Sequence, residues 1–221
     1  MCCFRIPTTI GSLFFFIFLL TMPATADECI QGNNIRGTEK RMIAAFHSVD
    51  ISGAFTVKIQ PSQSPGVTVT TDTNLLPHII TQVKNETLFV YADHSICTKI
   101  SLAVQIESRN IKKVKSSGAN DITYPNVDTE RLEIMVEDAG EIQLSGKVSL
   151  FQVTLSDAAD MEAENLRATE VQIRTSGAGD ATVFASDKIS ADISGAGEIT
   201  VHGNPKTVVK NISDEGELTL E

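Results

Sequence analysis

Tryptophan is absent from this 221-residue chain, and tyrosine occurs only twice. The aromatic platforms on which sugar rings and unpaired bases commonly stack are therefore scarce. Basic residues are also in short supply, with 18 Lys and Arg against 28 Asp and Glu and a formal charge of −10 at pH 7. Nucleic acid and anionic membrane surfaces both demand a basic face, so this balance argues against either as a partner. Histidine appears four times, at His47, His78, His94 and His202. These fall in four different segments with no i, i+4 pair, so each reads as a surface or turn residue rather than a metal ligand. No Gly-x-Ser-x-Gly elbow is present. Gly177-Ala178-Gly179 and Gly195-Ala196-Gly197 lack the third Gly, the following helix and the Lys of a phosphate loop. Arg131, Arg167 and Arg174 occupy different registers, which leaves no basic cluster of the kind used by glycan-cleaving β-helices. No catalytic residue, cofactor or metal ligand set is expected.

Long apolar runs are limited to one. Gly11–Leu20 (GSLFFFIFLL) follows the positive Arg5 and precedes the small-x-small triplet Ala24-Thr25-Ala26. This is the layout of an export signal, with cleavage after Ala26 and residues 1–26 removed; a retained anchor is the alternative. No membrane span remains after that cut. The charged residues before Cys29 do not suit lipidation. Four cysteines are present, and Cys2 and Cys3 leave with the signal. In an oxidising compartment the remaining pair, Cys29 and Cys97, is a candidate disulfide worth roughly 4 kcal/mol, two separate buried thiols being the alternative.

The mature chain opens with a polar, aperiodic lead-in over 27–44, read as extended and mobile. Phe46–Gln60 alternates with period two and includes Ser52-Gly53-Ala54; Val67–Thr71, Leu88–Tyr91 and Ile100–Ile106 read as further strands. Asn74–Lys84 is the one helix candidate, with Asn74 as cap, Pro77 in the first turn, and Leu76, Ile79, Ile80 and Val83 along one face.

From Ile111 onward the pattern becomes a repeat. A carboxylate follows a corner of small residues at Asp121, Glu141, Asp160, Asp180, Glu198 and Glu217, at intervals of 20, 19, 20, 18 and 19 residues. One position later stand Ile122, Ile142, Met161, Ala181, Ile199 and Leu218, and five positions earlier Val136, Leu155, Thr175, Ile193 and Ile212. Period two within a unit and about 19 residues between units describe apolar columns facing inward from stacked rungs about 4.8 Å apart. The fold class is therefore all-β, a single-stranded β-helix or β-solenoid with regular repeats over 111–221 and an N-terminal β region carrying one short helix. Lys112 and Ser116 break columns that are apolar elsewhere, as does Lys210. The corner glycines supply positive φ, and Ala and Ser keep the stacked bend narrow. The six carboxylates read as solvated or backbone-capping groups, with a calcium ladder as the alternative. The calcium-roll nonapeptide does not match, because the period here is twice as long.

Phe46–Phe55 (FHSVDISGAF), Asn74–Ile79 (NLLPHI), the Ser-Gly-Ala-Gly-acid corners and Gly203-Asn204-Pro205-Lys206 together resemble the bacterial auto-transporter adhesin head GIN domain, a domain of unknown function. The resemblance covers residues 45–221. It implies a right-handed β-helix exported to the bacterial envelope, and it supplies no catalytic residues. The expected role is a non-catalytic envelope module, most naturally periplasmic, that binds or organises a protein or a glycan. A glycan-active enzyme on the same scaffold and a self-assembling structural protein are the competing expectations, the second because the last rung leaves an edge for another copy.

Overall fold

The computed structural model describes residues 29–221, so the export signal and cleavage site expected over residues 1–26 lie outside the described residues. Among the described residues the chain is all-β apart from one three-residue 3-10 turn. Its first nine strands are short: β1 (Ile30–Gln31), β2 (Arg36–Arg41), β3 (Ser48–Gly53), β4 (Thr56–Pro61), β5 (Gly66–Asp72), β6 (Ile79–Lys84), β7 (Thr87–Ala92), β8 (Ile96–Cys97) and β9 (Ala103–Ser108). After β10 (Lys113–Gly118) come four long strands that bend around the solenoid, β11 (Asp121–Asp138), β12 (Glu141–Asp157), β13 (Asp160–Gly177) and β14 (Ala181–Gly195). β15 (Glu198–His202), β16 (Thr207–Asp214) and β17 (Glu217–Leu220) finish the stack.

Parallel pairing reproduces the columns read from the sequence. Ile122 pairs with Ile142, Ile142 with Met161, Met161 with Ala181, Ala181 with Ile199, and Ile199 with Leu218. The column Val136, Leu155, Thr175, Ile193 and Ile212 is likewise one continuous ladder. Residues in these columns are buried up to the penultimate rung, so alternation drives the chain to bury one face at every turn. Two residues that broke the apolar pattern have local explanations. Ser116 is buried but accepts a hydrogen bond from Asn120 Nδ2 at 3.0 Å, and Asn120 Oδ1 in turn accepts from the Phe55 N–H at 3.0 Å. At the other, Lys112 points outward and its neighbour Ile111 is buried instead. Lys210 lies on the exposed terminal strand β16.

Stacking order departs from chain order in the N-terminal half. β3 lies between β7 and β10, and β4 between β9 and β11. The rung formed by β3 and β4 is thus followed in space by β10 and the start of β11, although Ser52 and Ser117 are 65 residues apart and their hydroxyls meet at 3.0 Å. The intervening segment drops to the opposite side and builds an end cap. β6 runs antiparallel to β7, while β5 runs antiparallel to β9 and β2. The outermost strand, β2 (RGTEKR), is short and charged, which discourages pairing with other chains.

The helix expected over Asn74–Lys84 does not form. Only Leu76–His78 makes a 3-10 turn, and Ile79–Lys84 is strand β6. Ile79, Ile80, Thr81 and Val83 are β-branched, and Asn85 and Glu86 both take left-handed φ of 48° and 58°, closing a two-residue hairpin onto β7. Asn74 does not cap the turn; its side chain bonds to the Asn33 N–H and the Gln31 carbonyl. Those bonds, with the β1–β8 and β2–β5 pairings, tie residues 30–41 of the extended lead-in to the end cap.

The corner glycines divide into two roles. The position three before the carboxylate is left-handed in each regular rung, as Gly118 (φ 92°), Asp138 (72°), Asp157 (62°), Gly177 (122°), Gly195 (111°) and Asp214 (66°). Asp tolerates that region with its short polar side chain, so it alternates with Gly there. The position just before the carboxylate instead answers to crowding: a Cβ on Gly179 would lie 2.0 Å from the Ala159 carbonyl oxygen.

Candidate functional site

Three surface features follow from this stack. The carboxylates Asp121, Glu141, Asp160, Asp180, Glu198 and Glu217 form one exposed column along the corner edge. Asp160 accepts a hydrogen bond from the Asp180 N–H at 3.0 Å, and Asp180 from the Glu198 N–H at 2.8 Å. Each thus caps a donor that the bend of the next rung leaves without a ladder partner. Glu141 accepts from the Gln143 amide at 2.9 Å. The bonds to Asp160 and Asp180 are of the backbone-capping kind, and among the described residues no three of the six bring carboxylate oxygens within 4.8 Å of one another.

The second feature is a polar face on the outer side of the strands that lead into the corners. Outward columns run Glu133, Gln152, Gln172, Ser190 and, beside them, Met135, Thr154, Arg174, Asp192, Asn211. A shallow depression of about 330 Å³ opens among them. Gln152 donates to Gln172 at 2.8 Å, Asn211 to Asp192 at 3.0 Å, and Arg174 faces Asp192 at 3.9 Å. Lys113 pairs with Glu133 at 3.0 Å at one end. Arg131 and Arg174, which stand in different registers, both line this depression because neighbouring columns share the face. Arg167 lies elsewhere, with its guanidinium 4.2 Å from the centroid of the Phe184 ring.

The third feature was hidden in the sequence. His78 ends the 3-10 turn and Asp93-His94 follows β7, yet the hairpin pairing of Ile79 with Ala92 brings the two segments side by side. Both imidazoles donate from Nδ1 to the same Asp93 oxygen, at 3.0 Å from His78 and 2.7 Å from His94. The bond from His94 holds the Asp93 carboxyl below its ordinary range. Histidine spacing along the chain carried no signal, because the hairpin turn rather than a helix sets the contact. His47 and His202 stay apart, each meeting a single acceptor. Near this cluster Cys29 and Cys97 form a disulfide with Cα atoms 5.6 Å apart.

Comparison with known proteins agrees with the architecture. A Bacteroides fragilis protein described as a "putative adhesin" superposes with a TM-score of 0.73 at 22% identity, covering 87% of this chain and all of that one. A Parabacteroides merdae "putative adhesin" gives 0.59 at 19%, covering 89% of this chain and all of its own. A Parabacteroides distasonis protein described as a "putative lipid binding protein" gives 0.58 at 18%, covering 88% of this chain and all of its own. At these identities the likeness is one of fold. No curated protein matches the chain. The sequence of residues 45–205 matches the family described as "Putative auto-transporter adhesin, head GIN domain", and the chain belongs to that family.

Proposed function

We propose that this protein is a non-catalytic, exported adhesin-like module that binds a glycan of the cell envelope through its outer polar face, most naturally in the periplasm. The observation that carries this reading is the depression at Gln152, Gln172, Arg174 and Asp192. Gln152 and Gln172 stand on adjacent rungs about 4.8 Å apart with the Arg174–Asp192 pair beside them, a spacing suited to the hydroxyls of an extended polymer. An adhesin-like family points outside the cytoplasm, and a disulfide is at home there. The scarcity of aromatics implies weak single contacts strengthened by many of them.

The same face argues against the glycan-active enzyme. Glu133 and Asp192 are the carboxylates lining the depression, and they stand three rungs apart, about 14 Å at the usual strand spacing. Paired-carboxylate glycoside hydrolysis works at roughly 5 to 9.5 Å. Arg174→Glu combined with Gln172→Ala should lower retention on immobilised envelope polysaccharide by about tenfold, a loss of about 1.4 kcal/mol. The melting temperature should stay unchanged, since both residues are exposed. Unaltered glycan retention, or retention only on envelope protein, would overturn the glycan reading.

A second reading has its own observation. Val208, Val209 and Ile212 on β16 and Leu220 on β17 are apolar and 36–53% exposed, on strands whose outer edge pairs with nothing among the described residues. A second copy could pair there by β-augmentation. Light scattering after size exclusion should then show a dimer that Val209→Lys returns to monomer; a strictly monomeric wild type at high concentration removes the idea.

A further inference from the structure

His78, Asp93 and His94 bring two imidazole nitrogens and a carboxylate oxygen together on the exposed end cap. We propose that these three residues form a binding site for a late first-row divalent cation of the zinc class, completed by water. The argument is geometric. His78 Nδ1, His94 Nδ1 and an Asp93 carboxylate oxygen all lie within 4.8 Å of one another. The contacts to the shared oxygen are 3.0 and 2.7 Å. Ligands at about 2.0–2.2 Å from one tetrahedral zinc ion sit roughly 3.3–3.6 Å from each other, so a metal would fit once the two imidazoles draw back from the Asp93 oxygen by about half an ångström.

The imidazole rings stand nearly edge to face, at 82° and 5.2 Å between centroids, which lets both Nδ1 atoms point at one place. Metal entry displaces the two Nδ1–H bonds to Asp93: each neutral ring shifts its proton to Nε2, which leaves both Nδ1 lone pairs to coordinate, and the Asp93 charge offsets part of the cation's. Exposure leaves room for water in the remaining positions: His94 is 60% exposed and Asp93 36%.

The scaffold around the cluster is fixed from both sides. The Asp93 N–H donates to the His78 carbonyl at 3.0 Å, tying the two ligand segments together. On the other flank the Ile30 N–H donates to the Ser95 carbonyl at 2.8 Å, and Cys97 is held by the disulfide. Two imidazoles and one carboxylate are a donor set for zinc, copper or nickel. Calcium and magnesium favour all-oxygen shells and are expected to be rejected. The bound cation would bridge the turn before β6 to the loop after β7, adding a second cross-link to the cap that the disulfide already ties.

Isothermal titration of the tag-free protein with zinc chloride tests this, with calcium chloride and magnesium chloride as contrasts. One zinc per chain at micromolar Kd is expected, with no heat from calcium or magnesium. His94→Ala should weaken zinc binding at least about tenfold, whereas His47→Ala and His202→Ala should leave it unchanged. Because His78 and Asp93 also bond to each other, His94→Ala is the decisive variant, and its unchanged circular dichroism would certify the fold. Zinc binding weaker than about 1 mM in the wild type overturns the proposal. So does tight binding that His94→Ala leaves intact, which would place the ion elsewhere, including on the acidic column.

Discussion

Gly179→Val is expected to cost more than about 4 kcal/mol and to lower the melting temperature by more than about 10 °C. A side chain at this position has nowhere to go. Its Cβ alone would lie 2.0 Å from the Ala159 carbonyl oxygen and 2.7–2.8 Å from the carbonyl carbon and amide nitrogen of the same residue. These are backbone atoms in the rung below, so no rotamer change relieves the contact. The rungs would have to separate locally, stretching ladder hydrogen bonds among the strands on both sides. Gly197 sits one rung further on and meets the same limit, with a Cβ 2.3 Å from the Gly179 carbonyl oxygen. Ala178→Ser, on the exposed tip of the same corner, is the control and should change stability by no more than about 0.5 kcal/mol. Thermal melts followed by circular dichroism separate the two variants. A Gly179→Val protein within 3 °C of wild type would mean that the corner is looser than its geometry.

Breaking the Cys29–Cys97 disulfide is expected to cost about 3–4 kcal/mol. The bond closes a loop of 68 residues, and the loop-closure entropy removed from the unfolded chain at that length is about 4 kcal/mol. Urea denaturation with and without reductant, repeated on Cys97→Ser, measures the difference. Within the folded state the loss should fall on the end cap, because β1 and β8 form only a two-residue pairing beside the bond. Amide exchange should therefore accelerate over residues 30–41 and 93–102 and remain slow in β12 and β13, whose rungs are enclosed on both sides. A stability change below about 1 kcal/mol would show that the lead-in is held by β2 and its partner β5 alone.

Columns of apolar residues were legible because a regular rung repeats its own environment. Once Ile142, Met161 and Ala181 follow the same corner at near-equal intervals, only stacking buries them together. The Asn74–Lys84 segment misled because Leu76, Ile79, Ile80 and Val83 satisfy helical spacing, while their β-branching and the Asn85-Glu86 turn favour a hairpin. Local pattern could not arbitrate between those two readings, since the edge of β7 that rewards the hairpin is a tertiary contact.

The acidic corner column and its backbone-capping reading came from the register, but which amides it caps, those of Asp180 and Glu198, was set by the stacking of the rungs. The sequence by itself determined the solenoid, its rung length and the inward columns, because these follow from periodicity and nearest-neighbour burial. Tertiary structure alone decided that β3 enters the stack between β7 and β10 and that His78 meets Asp93 and His94. Those pairings join residues distant in the chain, through a reversal of stacking order and a hairpin, and neither leaves a period for the sequence to display.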